Sequence, residues 1–267
     1  MDLRVPQSFA SPDTIAGRDT LKVFFGNALF LQNIVVPTFG SNSPLWSLAN
    51  EFWYYLLFPA LVLAAFSPGK AVRRTIGLLI SLLLLAWLPA GILAGFLIWL
   101  MGVAVHSLPA VSAGRRLRWG MQVVSFGVFC GALMLSRVQR IPTGWSDFAI
   151  GFAFALWLYC LTRIQGAPPE VLPLYDRAAK VLSNCSYSVY AVHFPLLLLI
   201  RASLGTSVWA PTIVNLLIGV AGCFAVFLFG FLFSRLTEAN TGTVRTHLLR
   251  LISSPGHDQR HPGTCAY

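Results

Sequence analysis

The chain has 267 residues, of which 56% are apolar and only 10% charged, with a formal net charge of +10. So few charges exclude an ordinary soluble domain, where about a quarter of residues carry charge. The basic excess does not mark a nucleic-acid partner either, because the Lys and Arg residues collect in the loops between apolar blocks.

Seven such blocks can be read, at 46–66, 75–89, 91–107, 119–136, 147–162, 184–201 and 211–234. Most are about as long as the ~20 residues that cross a ~30 Å hydrocarbon core. None has a Lys or Arg at its centre. The expected fold is all-α, a polytopic membrane helix bundle over 46–234 with the lipid bilayer as its solvent. A polar N-terminus at 1–45 holds a short apolar segment at 22–36, and a cytoplasmic, disordered tail is expected at 235–267.

Taken in order, residues 1–20 are polar and lack a signal-peptide pattern. Lys22 to Val36 is apolar but short, and Asn27, Gln32 and Asn33 interrupt it. Its length fits an interfacial segment or a re-entrant one, whereas the charge balance favours a crossing, so both stay open. PTFGSNS (Pro37 to Ser43) reads as a turn, with Ser43 as N-cap and Pro44 at N1 of the first long helix. An uncharged turn at Leu88–Gly91 joins the next two blocks, and GRRLR (Gly114 to Arg118) closes that hairpin. RVQRIPTGWSD (Arg137 to Asp147) reads as an outer loop, with Asp147 as a helix cap. APPEVLP, within 163–183, reads as a Pro-rich spacer. The five cysteines show no CxxC spacing, and neither a disulfide nor a metal site is expected.

Orientation follows from the basic residues. Lys70, Arg73, Arg74, Arg115, Arg116, Arg118, Arg163, Arg177, Lys180, Arg235, Arg245, Arg250 and Arg260 fall on one face of the expected bundle. Only Arg4, Arg18, Lys22, Arg137, Arg140 and Arg201 fall on the other. The first face, with the C-terminal tail, is therefore expected in the cytoplasm. Trp46, Trp53, Trp145 and Trp209 near the block ends read as interfacial belt residues.

Two polar stripes stand out against this apolar background. Ser47, Asn50, Glu51, Tyr54 and Tyr55 fall at i, i+3, i+4, i+7 and i+8 of the first long helix. Glu51 is the only acidic residue well inside a long apolar stretch, and an ionisable group at membrane depth marks a functional site by default. It reads two ways: a proton-transfer group, or a structural carboxylate that ties helices together. Ser186, Tyr190 and His193 fall at i, i+4 and i+7 of the sixth block. Pro195 removes a backbone donor beside His193, so a kink is expected there. His193 reads as a base, a substrate ligand or a satisfied core histidine. No P-loop, GxSxG, HExxH or dinucleotide fingerprint occurs.

LFLQNIVVPTFGSNSPLWSLANEFWYYLLFP (Leu29 to Pro59) and SYSVYAVHFPLLLL (Ser186 to Leu199) resemble the acyltransferase-3 family of integral membrane O-acyltransferases. The resemblance covers about 21–234. It implies transfer of an acyl group, commonly acetyl, from an acyl-CoA type donor to a hydroxyl of a surface or secreted glycan. It also implies a bacterial inner membrane, no bound cofactor beyond the acyl-CoA (acetyl-CoA) substrate, and no nucleic-acid partner. Glu51 and His193 are then the candidate catalytic residues. Trp46, Ser47, Asn50, Tyr54, Ser186 and Tyr190 are the candidate substrate-binding residues. The family's first helix carries an Arg and a His that nothing before Leu29 matches, so the chain reads as lacking N-terminal helices of a complete member. Two further readings stand beside acyl transfer: an inactive, truncated member, and a transporter of a small molecule or lipid-linked glycan, suggested by the broken helix at Pro195.

Overall fold

The structure, a computed structural model, describes residues 17–67, 70–138, 143–165, 173–204 and 210–252. The polar start before residue 17, the spacer at 166–172, Trp209 and the last residues beyond 252 lie outside the described residues. The chain divides into two compact units, Met1–Glu170 and Val171–Tyr267.

The first unit holds α1 (Leu21–Ala28), α2 (Trp46–Ala65), α3 (Ala71–Trp87), α4 (Ala90–Ser107), α5 (Arg115–Arg137) and α6 (Thr143–Thr162). The second holds α7 (Pro173–Ser203), α8 (Ile213–Leu236) and α9 (Thr241–Ile252). Each of the seven apolar blocks is a helix. Among the described residues six helices are long and apolar enough to cross a membrane; α3, at 17 residues, is slightly shorter. Their outward faces are made of exposed Leu, Val and Phe, such as Leu83, Val124, Phe152, Leu216 and Phe224. A face of that kind is stable against acyl chains, not against water. The protein is an integral membrane helix bundle.

The helices run past the apolar blocks at several ends. α7 starts about ten residues before the block, because polar residues extend it: Asp176 and Lys180, one turn apart, pair at 2.6 Å. α6 begins at Thr143, so Asp147 lies a turn inside the helix and is no cap. At 22–36 one of the two open readings falls away, and the tail departs in part from its expected disorder. The segment at 22–36 is no span: α1 has eight residues, about 12 Å against a ~30 Å core, and the chain reverses through Phe30 (φ 57°) and Asn33 (φ 64°). The tail at 235–267 is not disordered throughout, since a 3-10 turn at Glu238–Asn240 leads into α9.

In the first unit α2 packs on α3 and α4. The core is Tyr54, Leu57, Leu84, Leu88, Ile92 and Phe96. Leu88 and Pro89 form the tight turn between α3 and α4, as their lack of charge suggests. α5 and α6 pair through aromatic rings, with Phe129 stacked on Trp157 at 5.8 Å. A two-residue parallel pair, β1 (Val111–Ser112) with β2 (Ile164–Gln165), joins the loop after α4 to the end of α6. Beside it Arg163 donates from Nε to the Val105 carbonyl at 3.1 Å and from its terminal nitrogen to the His106 carbonyl. Those carbonyls are among the last four of α4, which have no partner inside their own helix.

In the second unit α7 and α8 run antiparallel, with Val189 against Gly230 and Ile200 against Gly222. A Cβ on Gly230 would lie 2.8 Å from the Val189 Cα, so the helices approach to backbone contact there. Small residues permit such contact between helices in lipid.

Candidate active site

The head of α2 is built by the loop before it. Gln32 is buried and its amide donates to the Leu45 carbonyl at 3.0 Å. Asn27 donates to the carbonyls of Val23 and Pro37, each at 2.8 Å, and accepts from the Phe39 amide at 3.0 Å. Phe30 stacks on Phe52 with centroids 4.5 Å apart, and the Trp53 indole donates to the Phe30 carbonyl at 2.8 Å. The amides that interrupt the apolar segment at 22–36 thus fix a loop over the first turns of α2. In the sequence these residues read only as interruptions of an apolar run.

α2 itself begins through a 3-10 turn, Ser43–Leu45, and Ser43 supplies no side-chain cap. Ser47 instead turns its hydroxyl back to the Pro44 carbonyl at 3.3 Å. The polar stripe then divides by depth. Asn50 and Tyr54 are buried; Glu51 and Ser47 are half-buried; Trp46 and Tyr55 are exposed.

Tyr54, expected among the substrate contacts, is buried where α2 meets α4. Its hydroxyl donates to the Ile92 carbonyl at 3.0 Å, its ring lies 5.4 Å from that of Phe96, and Asn50 hydrogen-bonds the same hydroxyl. Gly95 on α4 leaves room for that hydroxyl, since any Cβ there would collide with it. A Tyr54→Phe substitution is expected to lower stability by about 1 kcal/mol, the net worth of one buried hydrogen bond, and to leave turnover per folded molecule unchanged. Thermal unfolding and an acyl-transfer assay on the same sample check it; a turnover loss without a stability loss restores Tyr54 to the substrate contacts.

Glu51 and Tyr55 lie on the open flank. The Tyr55 hydroxyl donates to Glu51 Oε1. Among the described residues no Lys, Arg or His forms an ion pair with Glu51. A structural carboxylate in a bundle is normally matched by a cation or by several donors. Among the described residues the hydrogen-bond partner of Glu51 is the Tyr55 hydroxyl, and Glu51 is only half-buried. The Asn50 side-chain oxygen, Oδ1, is buried with no hydrogen-bond partner among the described residues.

On α7 the second stripe is arranged differently. Cys185 and Ser188 are the buried residues on the side that meets α8, whereas Ser186 is exposed. The Ser186 hydroxyl turns back to the Ser183 carbonyl at 2.9 Å. His193 is half-buried, with Nδ1 2.6 Å from the Tyr190 carbonyl and its ring 5.5 Å from the Tyr190 ring. A carbonyl can only accept, so Nδ1 carries the hydrogen and the neutral ring keeps its lone pair on Nε2. The helix runs on through Pro195 to Ser203. Glu51 belongs to the first unit, and Ser186, Tyr190 and His193 to the second.

Apolar helices of this length, with a carboxylate on one and an imidazole on another, define an integral membrane protein with ionisable groups set into its helices. A protein-family model described as an acyltransferase domain matches residues 11–245, and the chain belongs to that family, the acyltransferase-3 family of membrane acyltransferases. Neither a curated protein nor a solved structure matches it.

Proposed function

We propose that the protein transfers an acyl group, acetyl in the simplest case, from an acyl-CoA type donor to a hydroxyl of a surface or secreted glycan. The observation that carries this reading is Glu51, a half-buried carboxylate with Tyr55 as its hydroxyl partner. In the reaction the acceptor hydroxyl oxygen attacks the thioester carbonyl. A C–O ester bond forms, the C–S bond breaks, and the hydroxyl proton passes to Glu51 and on to the departing thiolate. Ser47, Asn50 and Trp46, beside Glu51 at the head of α2, contact the acceptor. His193, with Nε2 available, supports the acyl or acceptor channel together with Ser186 and Tyr190. The basic loops support a C-terminus in the cytoplasm, and membership of the family supports a bacterial inner membrane as its location.

The full chain in proteoliposomes, given acyl-CoA labelled in its acyl group and a glycan acceptor, is expected to place the label on the glycan as an alkali-labile ester. Labelled material accumulating inside the vesicles without ester formation overturns the reading in favour of transport.

A further inference from the structure

α8 is long enough to cross the membrane by itself. Its 24 residues rise about 36 Å at ~1.5 Å per residue, against a ~30 Å hydrocarbon core. The helix then stops at a break. Thr237 leaves helical geometry at φ -113° and ψ -82°, and its amide returns to the carbonyls of Phe233 and Ser234 at 3.2 and 3.3 Å. Asn240 donates its side-chain amide to the carbonyls of Arg235 and Leu236 at 3.2 and 3.1 Å. The Ser188 and Thr237 hydroxyls, 3.0 Å apart, tie the break to α7. α9 (Thr241–Ile252) therefore starts as a separate helix where a span has just left the hydrocarbon.

Every residue of α9 from Thr241 to Arg250 is exposed. Val244, Leu248 and Leu249 are exposed by 55%, 53% and 55%, so the chain covers less than half of each. At ~100° per residue the three span about 140° of the helix surface, while Thr243, Thr246 and Arg250 take the opposite side. That is the division of an amphipathic helix. A helix of 12 residues is marginal in water on its own and draws its stability from burial of such a face.

The charges on α9 are all of one sign. Arg245 and Arg250 stand there with His247, and the helix contains no Asp or Glu. Arg245 precedes Leu248 and Leu249 by three and four residues and shares their side. An arginine so placed lays its stem along apolar groups and lifts its guanidinium to the polar level. An apolar face with cations and no carboxylate is complementary to a surface that is apolar below and negative above. A second copy of α9 would instead bring like charges together.

We infer that α9 lies in the membrane–water interface beside the end of α8, on anionic lipid. Val244, Leu248 and Leu249 enter the acyl-chain boundary, Arg245 reaches the headgroups, and Arg250 stays within their field. The inference stands on the second unit and does not depend on the acyl-transfer reading.

Hydrogen–deuterium exchange followed by mass spectrometry reads the α9 amides in the full chain, held at one copy per nanodisc. Discs of phosphatidylcholine alone are compared with discs of an equal mixture of phosphatidylcholine and phosphatidylglycerol. A helix of this length with no surface to lie on exchanges almost freely, so protection reports docking. Exchange is expected to be slower in the mixed discs, by up to about fivefold for each arginine at the surface, and the difference is expected to fade in high salt. Arg245→Gln combined with Arg250→Gln is expected to remove the difference, whereas the Arg245→Lys and Arg250→Lys pair keeps it, a pattern that a fixed guanidinium hydrogen bond does not give. Val244→Ser combined with Leu248→Ser is expected to abolish protection of α9 in both compositions while α8 stays protected. Equal exchange in the two compositions overturns the inference, as does protection that the serine pair leaves unchanged. Protection that appears only in discs holding two copies overturns it in favour of self-association.

Discussion

Glu51→Gln is expected to lower acyl transfer by about 10²- to 10⁴-fold, the range that general acid–base catalysis contributes, with thermal stability almost unchanged. Gln has the same shape, and its carbonyl oxygen still accepts from the Tyr55 hydroxyl, the one bond that holds Glu51 in place. What disappears is the capacity to take a proton. No cation is left unpaired by the change, since none forms an ion pair with Glu51 among the described residues. The alternative role, a carboxylate that ties helices together, makes the opposite forecast: stability falls, and activity falls only as far as folded protein is lost. Leaving a buried hydrogen-bonding partner unsatisfied costs about 1–3 kcal/mol, a difference an unfolding measurement resolves. Tyr55→Phe grades the result. It frees the carboxylate without removing it, so a smaller loss is expected. Full acylation by Glu51→Gln, at wild-type stability, ends the catalytic role for this residue.

The fold was legible because one physical requirement dominates it. A chain in lipid must satisfy its backbone within helices, so seven apolar blocks could only become helices, and they do. The ends were not legible to the residue. α7 extends back to Pro173 through polar turns that hydropathy cannot see, and the Asp176–Lys180 pair that supports them is a local contact. α9 was missed for the same reason, since a short helix with mixed charge and apolar residues has no membrane-length signature. At the site the stripe from Ser47 to Tyr55 was found by its spacing, but spacing gives angle around the helix and not depth. Glu51 and Tyr54, three residues apart, are both near the polar face, yet only Tyr54 has α4 against it, through Ile92 and Gly95. The partner across the interface decides which polar residue packs and which stays available.

The contact between α2 and α3 should be the most sensitive point of the first unit to added volume. A Cβ on Gly77 would lie 2.7 Å from the Ala64 amide nitrogen, 2.8 Å from the Ala60 carbonyl oxygen and 2.9 Å from the Leu63 Cβ. The first two are backbone atoms of a continuous helix and cannot step aside as a side chain can. Gly77→Ala must therefore push α3 away from α2, and Leu84 on α3 and Leu88 just after it are drawn off Leu57 and Tyr54 in the shared core. Overpacking of this kind costs about 1–3 kcal/mol, and acyl chains provide no hydrophobic drive to close the gap again. Gly127 on α5 is the matched control. Nothing lies within 4 Å of a Cβ placed there, so Gly127→Ala is expected to stabilise by up to about 1 kcal/mol through helix propensity alone. Thermal unfolding of both variants in the same detergent gives the comparison. Opposite signs confirm that the α2 and α3 backbones touch at Gly77; a gain from both substitutions means that α3 does not sit against Ala60 and Ala64 at all.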